Sequence, residues 1–309
     1  MSSRNLQLNA HTAGGLAAIV LWSTTFAFAR SLSERVGPLT AGACAYLIGG
    51  FFCLVRLWWS GKTAGHRLNL SPRYLLGCGS LFVVYTAAIY LAVGLAKDRE
   101  QVLEVALVNY LWPALTILFS LPLLGRKASV WLLPGTALAL GGVLLVMTQG
   151  THTTWQSFGR HVQDNPAAYG LALLAAVSWG CYSNLARRWS GPESEGAVEL
   201  FMPATGIVLL VIRLLTTEPA GWTARCVGEA AALAAVTTVA YVLWDLSMRK
   251  GNMLLVVACS YFTPLLSTLV SCAYLRVTPG PRLWVGCLLL VMGSLVTWRS
   301  VSDEPPRSS

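Results

Sequence analysis

The chain has 309 residues, of which 55% are hydrophobic and only 11% charged, and its net charge is +9. A soluble domain carries about 25% charged residues. Here the apolar residues come in long blocks, which excludes a large soluble core in favour of a polytopic membrane protein. No basic stripe or reading motif accompanies the positive charge, so nucleic acid is excluded as a partner, and the lipid bilayer with its cytoplasmic loops accounts for it.

A span needs about 20 apolar residues. Ten segments qualify: 12–30, 38–57, 74–96, 101–123, 128–148, 167–187, 197–215, 228–248, 252–275 and 281–299. The expected fold class is therefore an all-α polytopic membrane protein with ten transmembrane helices. The first block has no small-residue cleavage pattern and nine more follow it, so it reads as a retained helix rather than a signal peptide. The fourth holds EVALVNYLWPALTI (104–117), with Asn109, Tyr110, Trp112, Pro113 and Thr116 in a run that has no charge after Glu104. Polar side chains in hydrocarbon are tolerated where they face protein or a water-filled cavity. A proline there also frees a carbonyl that something else must satisfy. The lining of a pore or binding site is expected to start at this stretch.

The connection 149–166 carries Trp155, Phe158, Arg160 and His161 and is expected to lie along the membrane interface. The end, SDEPPRSS, is expected to be disordered. Lysine and arginine number 13 on the side of the N-terminus and 9 on the other, which favours both termini in the cytoplasm. Eight cysteines are scattered with no CxxC pair, and read as packing residues.

An internal repeat sets the architecture. A shift of 157 aligns Trp22 with Trp179, Arg30 with Arg187, Gly49 with Gly206 and Arg56 with Arg213. After the second span the shift becomes 151, aligning Tyr90 with Tyr241, Leu95 with Leu246, Tyr110 with Tyr261, Pro113 with Pro264 and Gly142 with Gly293. The expected units are a first repeat in 1–150, a connection in 151–166, a second repeat in 167–300 and a tail in 301–309. Five helices per half is an odd number, so the halves enter the membrane from opposite sides. Such inverted repeats are a common plan of secondary transporters, with the site near the midplane between the halves. A duplication can also merely build a stable bundle.

Polar stripes mark the candidate site. Gln101, Asn109, Trp112 and Thr116 share one face of the fourth span at about 100° per residue. Their mates at a shift of 151, Asn252, Ser260, Thr263 and Ser267, share one face of the ninth. Helix-helix glue accounts for any one such residue. Cavity lining accounts for the paired stripes beside aromatic rings. Trp22 and Thr25, Tyr85, Thr86 and Tyr90, Trp179, Tyr182 and Asn184, and Thr237, Tyr241 and Trp244 add further lining candidates from spans one, three, six and eight. Deep rings can stack on an aromatic ligand or face an ammonium group.

Pro113 and Pro264 are expected helix breaks. Glu104, about one turn inside the outer end, is the candidate for proton coupling, while Asp245 is explained by Arg249 one turn away. The four histidines fall at helix ends or in loops. That argues against a histidine proton relay at the midplane, and against zinc or serine-histidine chemistry within the membrane. No HExxH, GxSxG or Walker loop occurs, so neither an enzyme nor an ATP-driven pump is expected, and no cofactor or metal is called for.

Ten spans in two halves, with W-S-T-T-F at Trp22 and W-G-C-Y-S at Trp179, resemble the drug/metabolite transporter superfamily over nearly the whole chain. The block EVALVNYLWPALTI is similar to the fourth-helix signature of its YddG-type aromatic amino acid exporters, and the second half carries the weaker echo SYFTPLLSTL from Ser260. The resemblance implies a basket around a central cavity lined by spans 1, 3, 4, 6, 8 and 9. It also implies a bacterial inner-membrane location and export of aromatic and other amino acids, with toxic cations as further substrates. The substrate-site set is Trp22, Thr25, Tyr85, Tyr90, Asn109, Tyr110, Trp112, Trp179, Tyr182, Tyr241, Trp244, Ser260, Tyr261 and Thr263, in a monomer. A facilitator for a polyamine, nucleoside or sugar derivative, and a membrane receptor without transport, are the competing readings.

Overall fold

The structure, a computed structural model, describes residues 9–59, 71–148, 154–191, 197–275 and 280–302. Expectations that concern His66, His152, the start of the connection or the tail beyond Ser302 lie outside the described residues. The described chain is almost entirely helical. In order it forms α1 (Ala10–Val36), α2 (Pro38–Trp59) and α3 (Gly79–Leu95), the last entered through a π-helical turn, Arg73–Cys78. Then come α4 (Arg99–Asn109), α5 (Trp112–Leu124), α6 (Leu132–Met147) and α7 (Trp155–Asp164). The remainder is α8 (Pro166–Trp189), α9 (Ala197–Leu214), α10 (Ala224–Lys250), α11 (Met253–Cys259), α12 (Thr263–Leu275) and α13 (Pro281–Ser300).

Six helical stretches among the described residues are long and apolar enough to cross a membrane: Pro38–Trp59, Arg73–Leu95, Arg99–Leu124, Ala197–Leu214, Ala224–Lys250 and Pro281–Ser300. Leu132–Met147 and Met253–Leu269 are shorter apolar helices. α1 and α8, with 27 and 24 residues, reach roughly 40 and 36 Å at the helical rise. The second strand of a two-residue pairing, Lys127–Ala128 with Val301–Ser302, occupies the first positions of the expected disordered tail.

The fourth and ninth expected spans are each interrupted at matching places. α4 ends at Asn109 and α5 begins at Trp112, with Pro113 in its first turn. Ser260–Phe262 form a 3-10 turn between α11 and α12, just before Pro264. Proline cannot donate to the carbonyl four residues back. For Pro264 that carbonyl is Ser260 O, and the Thr263 hydroxyl donates to it at 2.8 Å. The backbone group freed by the break is thus satisfied inside the protein, as a lipid environment demands.

Polar contacts define two ends of the bundle. At one, Asn9 donates to Lys250 O, Arg187 to Gly251 O, Ser71 to Trp189 O, Arg188 to Leu123 O and Ser129 N to Ser300 O. Both described chain ends lie here, so we call it the terminal face. Glu199 pairs with Arg56 at this face, at 3.7 Å. At the opposite face, Glu218 accepts from the N–H groups of Leu39 and Thr40, where it meets the positive end of α2.

Helix pairing follows the sequence repeat. α6 packs on α13 and α2 on α9, each a pair of repeat mates. α1 packs on α10, and the corresponding pair, α8 on α3, packs likewise. α5 on α8 corresponds to α12 on α1. Repeat-aligned glycines sit at these contacts. A Cβ on Gly142 would lie 2.8 Å from Gly286 O and Leu290 N, and one on Gly293 would collide with the Ala139 backbone. Close backbone approach through small residues is how helices associate where lipid gives no hydrophobic drive. Gly142→Val is expected to destabilise the detergent-solubilised protein by about 1–3 kcal/mol through overpacking. Gly141→Val, with nothing within 4 Å, is expected to stay within about 0.5 kcal/mol of the parent. Equal melting points for the two variants in a thermal-shift assay would refute the close-packed α6–α13 contact.

Candidate functional site

An aromatic cluster fills the middle of the bundle, where α1, α3, α5, α8 and α10 converge. Trp22 lies 5.9 Å from Trp179, 5.5 Å from Tyr241 and 5.1 Å from Trp244, centroid to centroid. Tyr85 approaches Trp179 at 4.5 Å. Trp112 stands edge-on to Trp244 at 5.3 Å and to Trp179 at 6.4 Å, and Tyr182 stacks on Trp179 at 5.0 Å. Ring edges set against ring faces contribute roughly 0.5–1.5 kcal/mol per pair beyond their buried area. The cluster is therefore both a packed core and a preformed aromatic wall.

Its burial is graded. Trp179, Tyr182 and Trp244, nearer the terminal face, are fully buried, whereas Trp22 and Tyr85 at mid-helix and Tyr90 and Asn109 nearer the opposite face keep accessible surface. Tyr85 neighbours Asn109 and Tyr241, and the Asn109 Oδ1 atom is buried without a hydrogen-bond partner. Among the described residues, charge meets this cluster at its edge, where Asp245 accepts from the Tyr182 hydroxyl.

The expected site residues separate into three groups. Trp22, Tyr85, Trp112, Trp179, Tyr182, Tyr241 and Trp244 are brought together, and Tyr90 joins them edge-on through Tyr46 at 6.2 Å. Thr25, Ser260 and Thr263 have their hydroxyl protons committed to Trp22 O, Val257 O and Ser260 O, which leaves only their oxygen lone pairs for a ligand. Thr116 is spent likewise on Trp112 O. Tyr110 and Tyr261 pack in a separate apolar cluster with Ala139, Val143 and Leu290, towards the α6–α13 pair. Asn184 behaves as glue, donating from Nδ2 to Thr116 O and Gly180 O, both at 2.8 Å.

Sequence reasoning missed Tyr46 and Phe82. The Tyr46 hydroxyl donates to the Tyr241 oxygen at 2.7 Å, and Phe82 meets Tyr241 at 4.8 Å. Neither carried a polar or periodic signal that separates lining from packing.

Two buried carboxylates flank the cluster. At the terminal end, Asp245 accepts from the Tyr74 hydroxyl at 2.7 Å, the Tyr182 hydroxyl at 2.8 Å and Arg249 Nε at 2.7 Å. The Arg249 guanidinium also lies over the Tyr74 ring, 5.7 Å from its centroid. At the opposite end, Glu104 is fully buried, 3.0 Å from His161 Nδ1, and accepts from the Tyr169 hydroxyl. His161, expected at a helix end or in a loop, lies in the last turn of α7 and is the partner of the carboxylate singled out for proton coupling. It reaches Glu104 because Thr154 and Ser157 form a capping box that starts α7. The repeated spacing of Trp155, Phe158 and His161 was the available signal.

The chain is similar to proteins of named kind over most of its length. It is 32% identical over 286 residues to the aromatic amino acid exporter YddG of Escherichia coli (strain K12), covering 92% of this chain and 95% of that protein. It is 31% identical over 288 residues to the aromatic amino acid exporter YddG of Ancylobacter novellus, covering 91% and 94%. A protein crystal structure superposes with a TM-score of 0.77 at 27% identity, covering 94% of this chain and 97% of that one. The EamA-like transporter family model matches twice, at residues 12–148 and 166–299. With that double match spanning the described bundle, the chain belongs to the EamA-like transporter family.

Proposed function

We propose that the protein exports aromatic and other amino acids across the bacterial inner membrane by alternating access, through a site built on the central aromatic cluster. The observation that carries this reading is a preformed wall of Trp22, Tyr85, Trp112, Trp179 and Tyr241 with no fixed charge in it. An amino acid at neutral pH is a zwitterion, and a fixed charge would bind one of its ends while repelling the other. Aromatic faces hold the side chain, and the unpartnered Asn109 Oδ1 accepts from the ammonium group. The names of the relatives point the same way.

Ten spans as two inverted five-helix halves, 1–150 and 167–300, supply the mechanism. The double family match and the exchange-related packing of α1 with α10 and α3 with α8 support that plan. Two near-equivalent halves can trade conformations around a fixed site, opening it to one side and then the other. The terminal face holds more lysine and arginine and is assigned to the cytoplasm. The protein works as a monomer in the bilayer.

Glu104 belongs to the anchoring of α7, because His161 and Tyr169 already satisfy it away from the rings. Phenylalanine counterflow into proteoliposomes is therefore expected to change by less than about twofold when a pH gradient is imposed, since Glu104, Glu229 and Asp245, carboxylates of the described helices α4 and α10, each have a partner. A steep dependence on the gradient would return Glu104 to a coupling role. In the same assay, Trp22→Ala is expected to raise the half-saturating phenylalanine concentration about tenfold through loss of ring contacts. Tyr110→Phe, in the separate cluster, is expected to stay near the parent. No saturable amino acid counterflow by the parent protein would overturn the proposal.

A further inference from the structure

The two ends of the bundle are closed by different chemistry. At the terminal face, Asp245 and Arg249 of α10 are tied to Tyr74, in the π-helical turn before α3, and to Tyr182 of α8. Those ties join two packed pairs, α1–α10 and α3–α8, alongside ring contacts, the Arg187 bonds to Met248 O and Gly251 O and the Trp244 Nε1 bond to Ser183 Oγ. The Asp245 and Arg249 side chains are each only 3% exposed. Under the repeat, the mates of this lock at the opposite face are Gly94 for Asp245, Thr25 for Tyr182 and Asp98 for Arg249. Gly94 has no side chain, the Thr25 hydroxyl is spent on Trp22 O, and Asp98 caps α4 by accepting from Gln101 N. The mate of Tyr74 is Arg225, which pairs with Glu229 along α10, so the aligned positions carry no copy of this lock.

Resting on the transport reading above, the geometry points to Asp245 as a positioning residue that gates the terminal face and couples it to the substrate site. The coupling runs through one side chain. Tyr182 donates its hydroxyl to Asp245 while its ring stacks on Trp179, and Trp179 touches Trp22, Tyr85, Trp112 and Tyr241. A ring inserted against Trp179 shifts Tyr182 and strains its bond to the carboxylate. Opening the terminal face requires α10 to part from Tyr74 and Tyr182, and with Asp245 still salt-bridged to Arg249 the departing carboxylate is not left unpaired. The resting protein is closed at the terminal face by this buried lock, whereas the opposite face is tied by the exposed Arg99–Glu34 pair between α4 and α1 at 3.4 Å, a contact that water screens.

The test is thiol accessibility read at one position. Ser183, fully buried behind Tyr182 and beside Trp244, is replaced by cysteine, and N-ethylmaleimide labelling at residue 183 is followed by peptide mass spectrometry, so the native cysteines stay in place. Labelling is expected to be slow in S183C alone. It is expected to rise about tenfold when Asp245→Asn removes the charged acceptor, and about threefold with Tyr182→Phe, which removes one charge-assisted bond. Added phenylalanine is expected to speed labelling in S183C and to have little further effect with Asp245→Asn. Should Asp245→Asn fail to fold, the Tyr74→Phe/Tyr182→Phe pair removes both hydroxyl donors and leaves the ion pair with Arg249 intact. Unchanged labelling in every gate variant overturns the gate. Labelling that rises in the variants but ignores phenylalanine overturns the coupling. Absence of counterflow in the parent overturns the transport reading, and the labelling result still decides the gate.

Discussion

Inside hydrocarbon there is no water to satisfy a polar group, so every donor and acceptor must find its partner within the protein. That constraint sorts the polar residues of this bundle. Thr263 serves the carbonyl freed by Pro264, Ser260 and Thr116 turn back to their own helices, and Asn184 ties α8 to α5. Among the described residues several buried polar atoms are left over. The Asn109 oxygen is one of them, beside Tyr85, where the proposed substrate ammonium would find its acceptor.

The same constraint applies to charge with greater force. An ionised carboxylate removed from water is stable only when it is both neutralised and hydrogen-bonded. Asp245 meets this with Arg249, one turn along its own helix, and the hydroxyls of Tyr74 and Tyr182, while Glu104 is hydrogen-bonded by His161 and Tyr169. Both lie towards the ends of the bundle, and the described middle is built of rings, hydroxyls such as Thr86 and the Asn109 amide. A neutral middle lets a zwitterion enter without leaving half of itself facing a like charge. The ends, where charge is fixed, are where the helices are held together and where holding can be released.

The helices were legible in the sequence because length and apolarity decide them: six described stretches are long and apolar enough to cross a membrane, and the boundaries of α2, α8, α9 and α13 fall within a few residues of expectation. The Asp245–Arg249 pair was legible too, since residues four apart on a helix must be neighbours. Tyr74 and Tyr182 were not, because their approach to Asp245 spans 171 and 63 residues of sequence. The polar stripes were read from the helical wheel, which fixes a face but not a rotamer. Serine and threonine can rotate their hydroxyl onto a carbonyl of the preceding turn, and Ser260 and Thr263 do so. Tyr110 and Tyr261 sit one residue from the stripes, a turn of about 100°, and that is enough to send them towards α6 and α13 instead of the rings.

The position that differs most between the two broken spans shows what the duplication made possible. At a proline break, one residue beside the proline can serve the freed backbone or serve the cavity, but not both. In α12 that residue is Thr263, and its hydroxyl is used on the backbone. In α5 its mate is Trp112, whose ring reaches Trp179 and Trp244 at the centre of the bundle. A helix with a threonine there closes its own hydrogen-bond ladder; a helix with a tryptophan there builds a wall. The asymmetry adds a first-half ring, Trp112, to an aromatic cluster that both halves build, and leaves the repaired break on the second. Asp245 likewise has a carboxylate where its mate is Gly94, and it is held by Tyr74 of the first half and Tyr182 of the second.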